Sequence, residues 1–218
     1  FDGGMASVVG IVTQPGVEFG DDEVFQFDRE AAKELSSFIN DIPSLVMEGH
    51  STDYQHRESL KAMVEEGVGI LKVGPALTFV LREGLFALSA MEKELVSQED
   101  RANLPQVLEA VMMENPSNWA KHYTGSDAEL ALKRKYSFSD RSRYYLTDER
   151  VVSAIEKLFA NFETLKVPSG LLHQYMPKQY EKVTRGGLQS DGRTLVKDYV
   201  HELANDYRFA CYPNLQLD

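Results

Sequence analysis

The chain lacks several features that would place it in common protein classes. Its 218 residues include one cysteine, Cys211, which cannot form an internal disulfide and matches no zinc-finger spacing. Basic residues are few, with 23 Lys and Arg against 34 Asp and Glu, and the net charge of −11 argues against a nucleic-acid or anionic-membrane surface. No apolar run is long enough to span a membrane, and no signal peptide opens the chain. We therefore expect a cytoplasmic protein that binds neither nucleic acid nor membrane.

The sequence also lacks the short motifs of several enzyme classes. A Walker A loop, a GxGxxG fingerprint, an HExxH motif and a nucleophile elbow are all absent. No single motif therefore indicates a catalytic site, and we expect any such site in the loops of the fold.

Residues 45–81 form the part of the chain around which the rest is organised. The apolar runs at residues 44–47 and 68–73 are too short for globular helices, and their β-branched residues and flanking Gly or Pro favour buried strands. Between them, Leu60, Met63 and Val64 have the spacing of a helix with one buried face. A third apolar run, at residues 7–13, predicts a strand that precedes these two. We predict three adjacent parallel strands joined by right-handed crossovers.

The remaining pattern is helical. Asp28 is the predicted N-cap of a helix that ends before Pro43. A long helix is predicted over residues 77–96, and five more over residues 104–113, 127–135, 147–162, 177–184 and 194–209. We predict an α/β part over residues 1–98 and a helical extension over residues 99–218.

The beginning of the sequence resembles the interior of a longer chain. Phe1 stands in place of an initiator Met, and a parallel sheet of only three strands would leave much of its surface uncovered. We expect an amino-terminal half with further βα units to be absent from this chain.

Four polar side chains near the predicted strand ends are candidates for catalysis. Loops at the carboxyl ends of parallel strands form the ligand site in such folds. Glu48 and His50 are candidate metal ligands or an acid/base pair, although His50 could equally bond a neighbouring loop. Glu18 could accept substrate hydroxyls or pair with Lys72, or be an exposed loop carboxylate. Lys72, at an apolar strand end, could face an anion or carboxylate or extend to water. We predict that all four converge in an open pocket, with the lysine buried.

Small residues in two of these loops indicate a phosphate site. Backbone N–H groups ahead of a helix bind phosphate well, since the helix dipole favours negative charge there. Pro75 lacks an N–H group, which makes the second loop the weaker donor. The structural alternative is that Ser51 or Asp53 caps the following helix. The candidate phosphate-binding residues are Gly49, Ser51, Thr52, Gly74 and Ala76.

These loops resemble the signature of a known family. Residues 14–19, 48–55 and 71–79, with 136–137, 139–141 and 174–179, are similar to the sequence blocks of the non-catalytic subunit family of D-tagatose-1,6-bisphosphate aldolase. The resemblance implies a (β/α)8 TIM barrel of the class II, zinc-dependent aldolase type. It further implies that residues 1–98 are the carboxyl-terminal part of that barrel, its last three βα units, followed by the all-helical extension.

The resemblance also implies roles for individual residues. Catalytic class II aldolases have a zinc-binding His where this chain has Glu48, whereas Gly49 and Ser51 match their phosphate loop. Lys72 and Val73 match the end of the next strand, but residues 74–76 depart from the pattern. The resemblance therefore implies that zinc is bound by a catalytic partner subunit rather than by this chain.

The function implied is that of an accessory subunit in galactitol or tagatose catabolism. Such a subunit supports the activity and stability of a catalytic aldolase subunit that acts on a sugar phosphate. One alternative is a sugar-phosphate enzyme in its own right, either a tagatose-6-phosphate kinase, a label that some family members carry, or a metal-dependent aldolase that uses Glu48 and His50. A second alternative is a sugar-phosphate-binding protein.

Overall fold

The chain folds into two compact units. A computed structural model describes residues 8–42 and 45–212. The first unit contains the described residues up to Ala76 and those from Leu203 onward, and the second contains Leu77–Glu202. The sequence-based division into a barrel portion up to residue 98 and a helical extension stays a prediction.

In the described residues, strands and helices are mixed as far as β5, and only helices follow. The first unit contains β1 (Gly10–Thr13), β2 (Glu18–Phe19), β3 (Val24–Phe25), α1 (Arg29–Asn40), β4 (Val46–Gly49), α2 (Arg57–Glu65) and β5 (Val68–Leu71). Helix α3 (Pro75–Leu95) leads into the second unit, which contains α4 (Leu104–Glu114), α5 (Asp127–Tyr136), α6 (Glu149–Asn161), α7 (Ser169–Tyr175) and α8 (Pro177–Thr184). Helix α9 (Gly192–Cys211) returns the chain to the first unit.

The first unit is built on a three-stranded parallel sheet in the order β1–β4–β5. This confirms the predicted adjacent, parallel strands, while the handedness of the crossovers stays a prediction. Strand β4 extends to Gly49, beyond the predicted end, because Glu48 and Gly49 pair with Ile70 and Leu71 of β5. The predicted strand starts at Ser7 and Ser44 lie outside the described residues.

A short antiparallel pair, β2 with β3, interrupts the segment between β1 and α1. The sequence did not predict it, since each strand has only two residues and too short a run to show alternation. Helix α1 begins as predicted: the side chain of Asp28 accepts hydrogen bonds from the backbone N–H groups of Glu30 and Ala31, at 2.9 and 3.2 Å. These two bonds satisfy donors that the first turn of a helix leaves open.

The core of the first unit lies between the sheet and its helices. Met47 of β4, Leu60 and Met63 of α2 and Val68 of β5 are almost fully buried. Leu60 and Met63 are two of the apolar positions that predicted the buried face of α2. Burying such side chains contributes about 1.5–3 kcal/mol each, which fixes α2 against the strands whose loops are described below.

The regular secondary structure of the second unit, as far as it is described, consists of helices. Its core draws Leu85 and Leu88 from α3, Leu108 from α4, Leu158 from α6 and Leu195 from α9. Helix α7 was not predicted, because Pro168, Ser169 and Gly170 read as loop signals although proline is well suited to a helix start. No helix of the described residues is both long and apolar enough to cross a membrane.

Candidate functional site

Glu48 and His50 form a close pair at the end of β4. The distance between His50 Nε2 and Glu48 Oε1 is 2.8 Å, and both side chains are about one-third exposed. The backbone N–H of His50 donates to the carbonyl oxygen of Thr13 at 2.8 Å, so the pair is fixed beside the end of β1. An imidazole held by a carboxylate can exchange a proton, and the pair therefore has the geometry of an acid and its base.

Glu18 is joined to the loop after β4 through Gln14. The amide nitrogen of Gln14 donates both to Glu18 Oε2 and, at 3.1 Å, to Ser51 Oγ. The other carboxylate oxygen of Glu18 accepts the backbone N–H of Phe19 at 2.9 Å. The sequence did not single out Gln14, but its place directly after β1, at the carboxyl end of a parallel strand, was a usable signal.

Lys72 lies directly after β5 with an exposed side chain. The expectation of a buried lysine is therefore wrong. Among the residues that the structure describes, Lys72 forms no ion pair with Glu18, Glu48 or any other carboxylate. Its backbone N–H donates to Gly49 O at 2.9 Å, which continues the β4–β5 pairing by one residue. Lys72 and Glu48 both lie at the carboxyl ends of their strands, but the side chain of Lys72 extends to water.

Asp53 is a buried carboxylate at the start of α3. Its Oδ1 accepts the backbone N–H groups of Gly74 and Ala76, both at 2.8 Å. These are the two donors that the sequence analysis assigned to phosphate in the second loop. They point to the protein's own carboxylate, which takes the place that favours an anion at a helix N-terminus.

Thr52 is fully buried and ties the loop after β4 to two other segments. Its hydroxyl donates to Lys72 O at 2.8 Å. The hydroxyl of Tyr207, from α9, donates to Thr52 O at 2.9 Å. Burial raises the pKa of the Tyr207 phenol well above its usual value; the hydrogen bond with Thr52 lowers it, and the negative charge of nearby Asp53 adds to the rise. The sequence gave no signal for Tyr207, which is 155 residues from Thr52.

Gly49 is required by packing. A Cβ atom at this position would lie 2.9 Å from Val68 Cγ1 and 3.2 Å from Met63 Cε, closer than side chains normally approach. Ser51 adopts the left-handed backbone region with a φ of 57°. The assignment of phosphate to Gly49, Ser51 and Thr52 stays a prediction, as does that to Gly74 and Ala76, whose N–H groups bond Asp53.

The described residues do not fit a zinc site. No group of three or more His, Cys, Asp or Glu side chains is arranged to hold a metal ion anywhere in residues 8–42 and 45–212. Glu48 and His50 supply two such groups, and they are hydrogen-bonded to each other. The roles of Glu18, Glu48, His50 and Lys72 as catalytic candidates stay predictions.

Comparison with known proteins gives a consistent result. Residues 2–212 match the family model described as D-tagatose-1,6-bisphosphate aldolase subunit GatZ/KbaZ-like. Proteins named D-tagatose-1,6-bisphosphate aldolase subunit GatZ are 41% identical to this chain, over 98% of it in Salmonella dublin and over 97% of it in Salmonella heidelberg. The chain spans about half the length of these relatives, 50% in both cases.

A solved structure agrees in fold. The crystal structure of a probable tagatose 6 phosphate kinase from Sinorhizobium meliloti 1021 is 40% identical, with a TM-score of 0.91 over 96% of this chain and 54% of its own. The similarity therefore extends over the helical second unit as well as the sheet.

Proposed function

Because the chain belongs to the family of D-tagatose-1,6-bisphosphate aldolase subunits of the GatZ/KbaZ-like type, we propose that it acts within an accessory subunit of such an aldolase. In this proposal a separate catalytic subunit carries zinc, and this chain supports that subunit's activity and stability in galactitol or tagatose catabolism. The cytoplasmic location expected from the sequence belongs to the same proposal.

The observation that carries the accessory role is the self-contained bonding of the loop after β4. Glu48 pairs with His50, and Asp53 occupies the N–H groups of Gly74 and Ala76. A catalytic site of the class II type would need this loop to offer a metal ligand and open phosphate donors. The polar groups of this loop instead form hydrogen bonds within the protein itself. This suits a subunit that binds and stabilises a partner.

The sheet is proposed to be part of a (β/α)8 barrel. Parallel sheets are normally covered on both faces, yet Val9, Val12 and Ile70 are 72%, 58% and 46% exposed. The curated relatives are about twice as long as this chain, and in this proposal further βα units of a longer protein complete the barrel. Closure of the barrel would cover these side chains and pair the open edge of β1.

The tagatose-6-phosphate kinase description of the Sinorhizobium meliloti structure favours a second candidate function. In that case this chain would act on a sugar phosphate itself, with Glu48 and His50 as its acid/base pair. A plain sugar-phosphate-binding protein is the third candidate.

One assay separates the candidates. Full-length protein is tested with and without the catalytic subunit for cleavage of D-tagatose 1,6-bisphosphate and for ATP-dependent phosphorylation of tagatose 6-phosphate. The accessory role predicts no activity alone and a rise in both the rate and the thermal lifetime of the catalytic subunit. Replacement of His50 by Gln should leave that rise intact. Activity of the protein alone that is lost in the His50→Gln variant would establish the enzyme instead.

Binding of phosphate by the loop after β4 has its own test. A bulky acidic side chain at Ser51 should repel and crowd a phosphate while the fold is kept. A sugar bisphosphate is titrated into wild-type protein and the Ser51→Glu variant, each with its partner subunit. Equal affinity in the two proteins would mean that this loop is only structural.

A further inference from the structure

A cleft within the second unit lies between α3 and the start of α4. Its volume is about 320 Å³, at the lower end of the range of ligand pockets, about 300–1,000 Å³. The residues that line it and that matter below are Phe86, Ser89, Lys93, Arg101, Gln106 and Tyr136.

One face of α3 carries a row of four side chains. Three of them line the cleft, and the fourth, Arg82, is buried. Arg82, Phe86, Ser89 and Lys93 are spaced by four, three and four residues, so they lie on the same face of the helix. The row runs from a buried guanidinium, past an aromatic ring and a hydroxyl, to an exposed ammonium group.

Two buried polar groups in this row lack a hydrogen-bond partner within the described part of the chain. Ser89 is 8% exposed and lines the cleft, and its hydroxyl oxygen has no hydrogen-bond partner among the described residues. Arg82 is 2% exposed; its Nε donates to Asp140, while its Nη2 has no partner in the same part of the chain. The guanidinium carbon lies 5.5 and 5.9 Å from the ring centroids of Phe86 and Tyr136, the aromatic walls of the cleft. A buried polar group without a partner is costly unless a ligand or water satisfies it.

The charges around the cleft favour an anion. Lys93 is exposed and forms no ion pair among the described residues. Arg101 donates through Nε and Nη2 to the carbonyl oxygens of Val96 and Lys93, at 2.9 and 2.7 Å, which leaves Nη1 for another acceptor. The carboxylate in the lining, Glu92, already accepts from Ala102 N and Asn161 Nδ2, at 2.8 and 2.6 Å.

We propose that this cleft binds a phosphorylated sugar. The phosphate lies between Lys93 and Arg101, because ammonium and guanidinium groups form strong, charge-assisted hydrogen bonds to phosphate oxygens. The sugar ring lies against Phe86 and Tyr136, and its hydroxyls bond Ser89 and the Gln106 amide. This site is independent of the loops in the first unit and of the aldolase role proposed above.

The test is calorimetric titration of full-length protein with three probes: fructose 6-phosphate, fructose and inorganic phosphate. We expect fructose 6-phosphate to bind more tightly than either of the others. The Lys93→Gln variant should bind it at least about tenfold more weakly, since a charge-assisted bond is lost. The Ser89→Ala variant should also bind it more weakly, and it keeps a good helix-forming residue in α3. Two controls are Lys121→Gln, an exposed lysine outside the cleft, and Ser51→Glu, which blocks the first-unit loop.

The outcomes discriminate between this site and its rivals. Unchanged affinity in both cleft variants overturns the proposal, and so does failure of the wild type to bind fructose 6-phosphate. Equal affinity for inorganic phosphate and fructose 6-phosphate contradicts recognition of a sugar. Loss of binding in Ser51→Glu with full binding in Lys93→Gln would assign the ligand to the first unit. That last result would leave the proposed phosphate loop standing while this cleft is excluded.

Discussion

Asp53 illustrates, at the scale of single residues, how a buried charge can serve the fold. Its Oδ1 accepts two backbone N–H groups that begin α3, so both hydrogen bonds are charge-assisted. The negative charge also lies at the favourable end of the helix dipole. The segment around Gly74 looks like a phosphate cradle in sequence, and its donors are directed at a carboxylate 21 residues earlier in the chain.

Replacing Asp53 by Ala should therefore lower stability. The change leaves the N–H groups of Gly74 and Ala76 without this acceptor, and we expect the free energy of unfolding to fall by about 1–3 kcal/mol. Urea denaturation of full-length protein measures it. Asp22→Ala is the matched control, since Asp22 is exposed and its loss should change stability by about 0.5 kcal/mol or less. Equal small losses in both variants would count against the role of Asp53.

Tyr207 predicts a stability that depends on alkaline pH. Burial raises the pKa of its phenol above the usual value of about 10, with Asp53 and Asp206 contributing in the same direction. The folded state thus keeps this proton more firmly than the unfolded state. The contribution to stability is complete below about pH 10 and is lost as the pH rises toward the folded pKa.

The free energy of unfolding of Tyr207→Phe should accordingly fall less steeply above about pH 10 than that of the wild type. At neutral pH the variant should be less stable by about 1 kcal/mol, since Thr52 O loses its donor. Urea denaturation at several pH values measures both effects. Tyr212→Phe, at an exposed tyrosine, should keep the wild-type slope. A Tyr207→Phe slope equal to the wild-type slope would contradict the raised pKa.

At the scale of helices and strands, β4 packs so closely on its neighbours that Gly49 has no room for a side chain. We expect Gly49→Ala to lower the free energy of unfolding by about 1–3 kcal/mol, because its methyl group would overlap Val68 and Met63. Gly74→Ala is the matched control in the next loop, where a methyl group would meet Asp53 oxygens at 3.8 Å, an ordinary contact. Denaturation of both variants measures the difference. Equal stability of the two variants would show that β4 can shift to make room.

The elements that the sequence predicted are those with a local physical signature. Leu60 and Met63 recur at helical spacing, and Asp28 provides a cap acceptor for the next residues of the chain. Strands β2 and β3 are too short to show a period, and α7 starts directly after Pro168, a residue type that also marks loops.

In the candidate site, too, only the contacts between residues close together in the sequence could be predicted. The pair of Glu48 and His50 could be anticipated because the two residues are only two positions apart at a strand end. The bond between Thr52 and Tyr207 could not, since no local pattern encodes a partner 155 residues away. The exposure of Lys72 was mispredicted, because an apolar strand end does not specify which way the next side chain points.

At the scale of the whole molecule, the parallel sheet of the described residues has an open edge at β1. Strand β1 stands at the edge of the order β1–β4–β5. The apolar side chain of Val12 in this strand and that of Val9, directly before it, are largely exposed. Val46 N donates to Val9 O, and His50 N donates to Thr13 O. The backbone N–H and C=O groups of the odd-numbered residues along β1 therefore face β4. Because residues of a strand alternate between its two edges, the N–H groups of Gly10 and Val12 face the open side.

Barrel closure makes a direct prediction for these amides. In full-length protein a further parallel strand would pair with β1, and the amides of Gly10 and Val12 should then exchange hydrogen as slowly as those of Ile11 and Thr13, which face β4. Residue-resolved hydrogen exchange measures all four in one sample, with Ile11 and Thr13 as internal references. An open edge would instead let Gly10 and Val12 exchange faster by orders of magnitude, since water reaches unpaired amides freely. That pattern in full-length protein would exclude a closed barrel at this edge and would require another explanation for the exposed apolar side chains of β1.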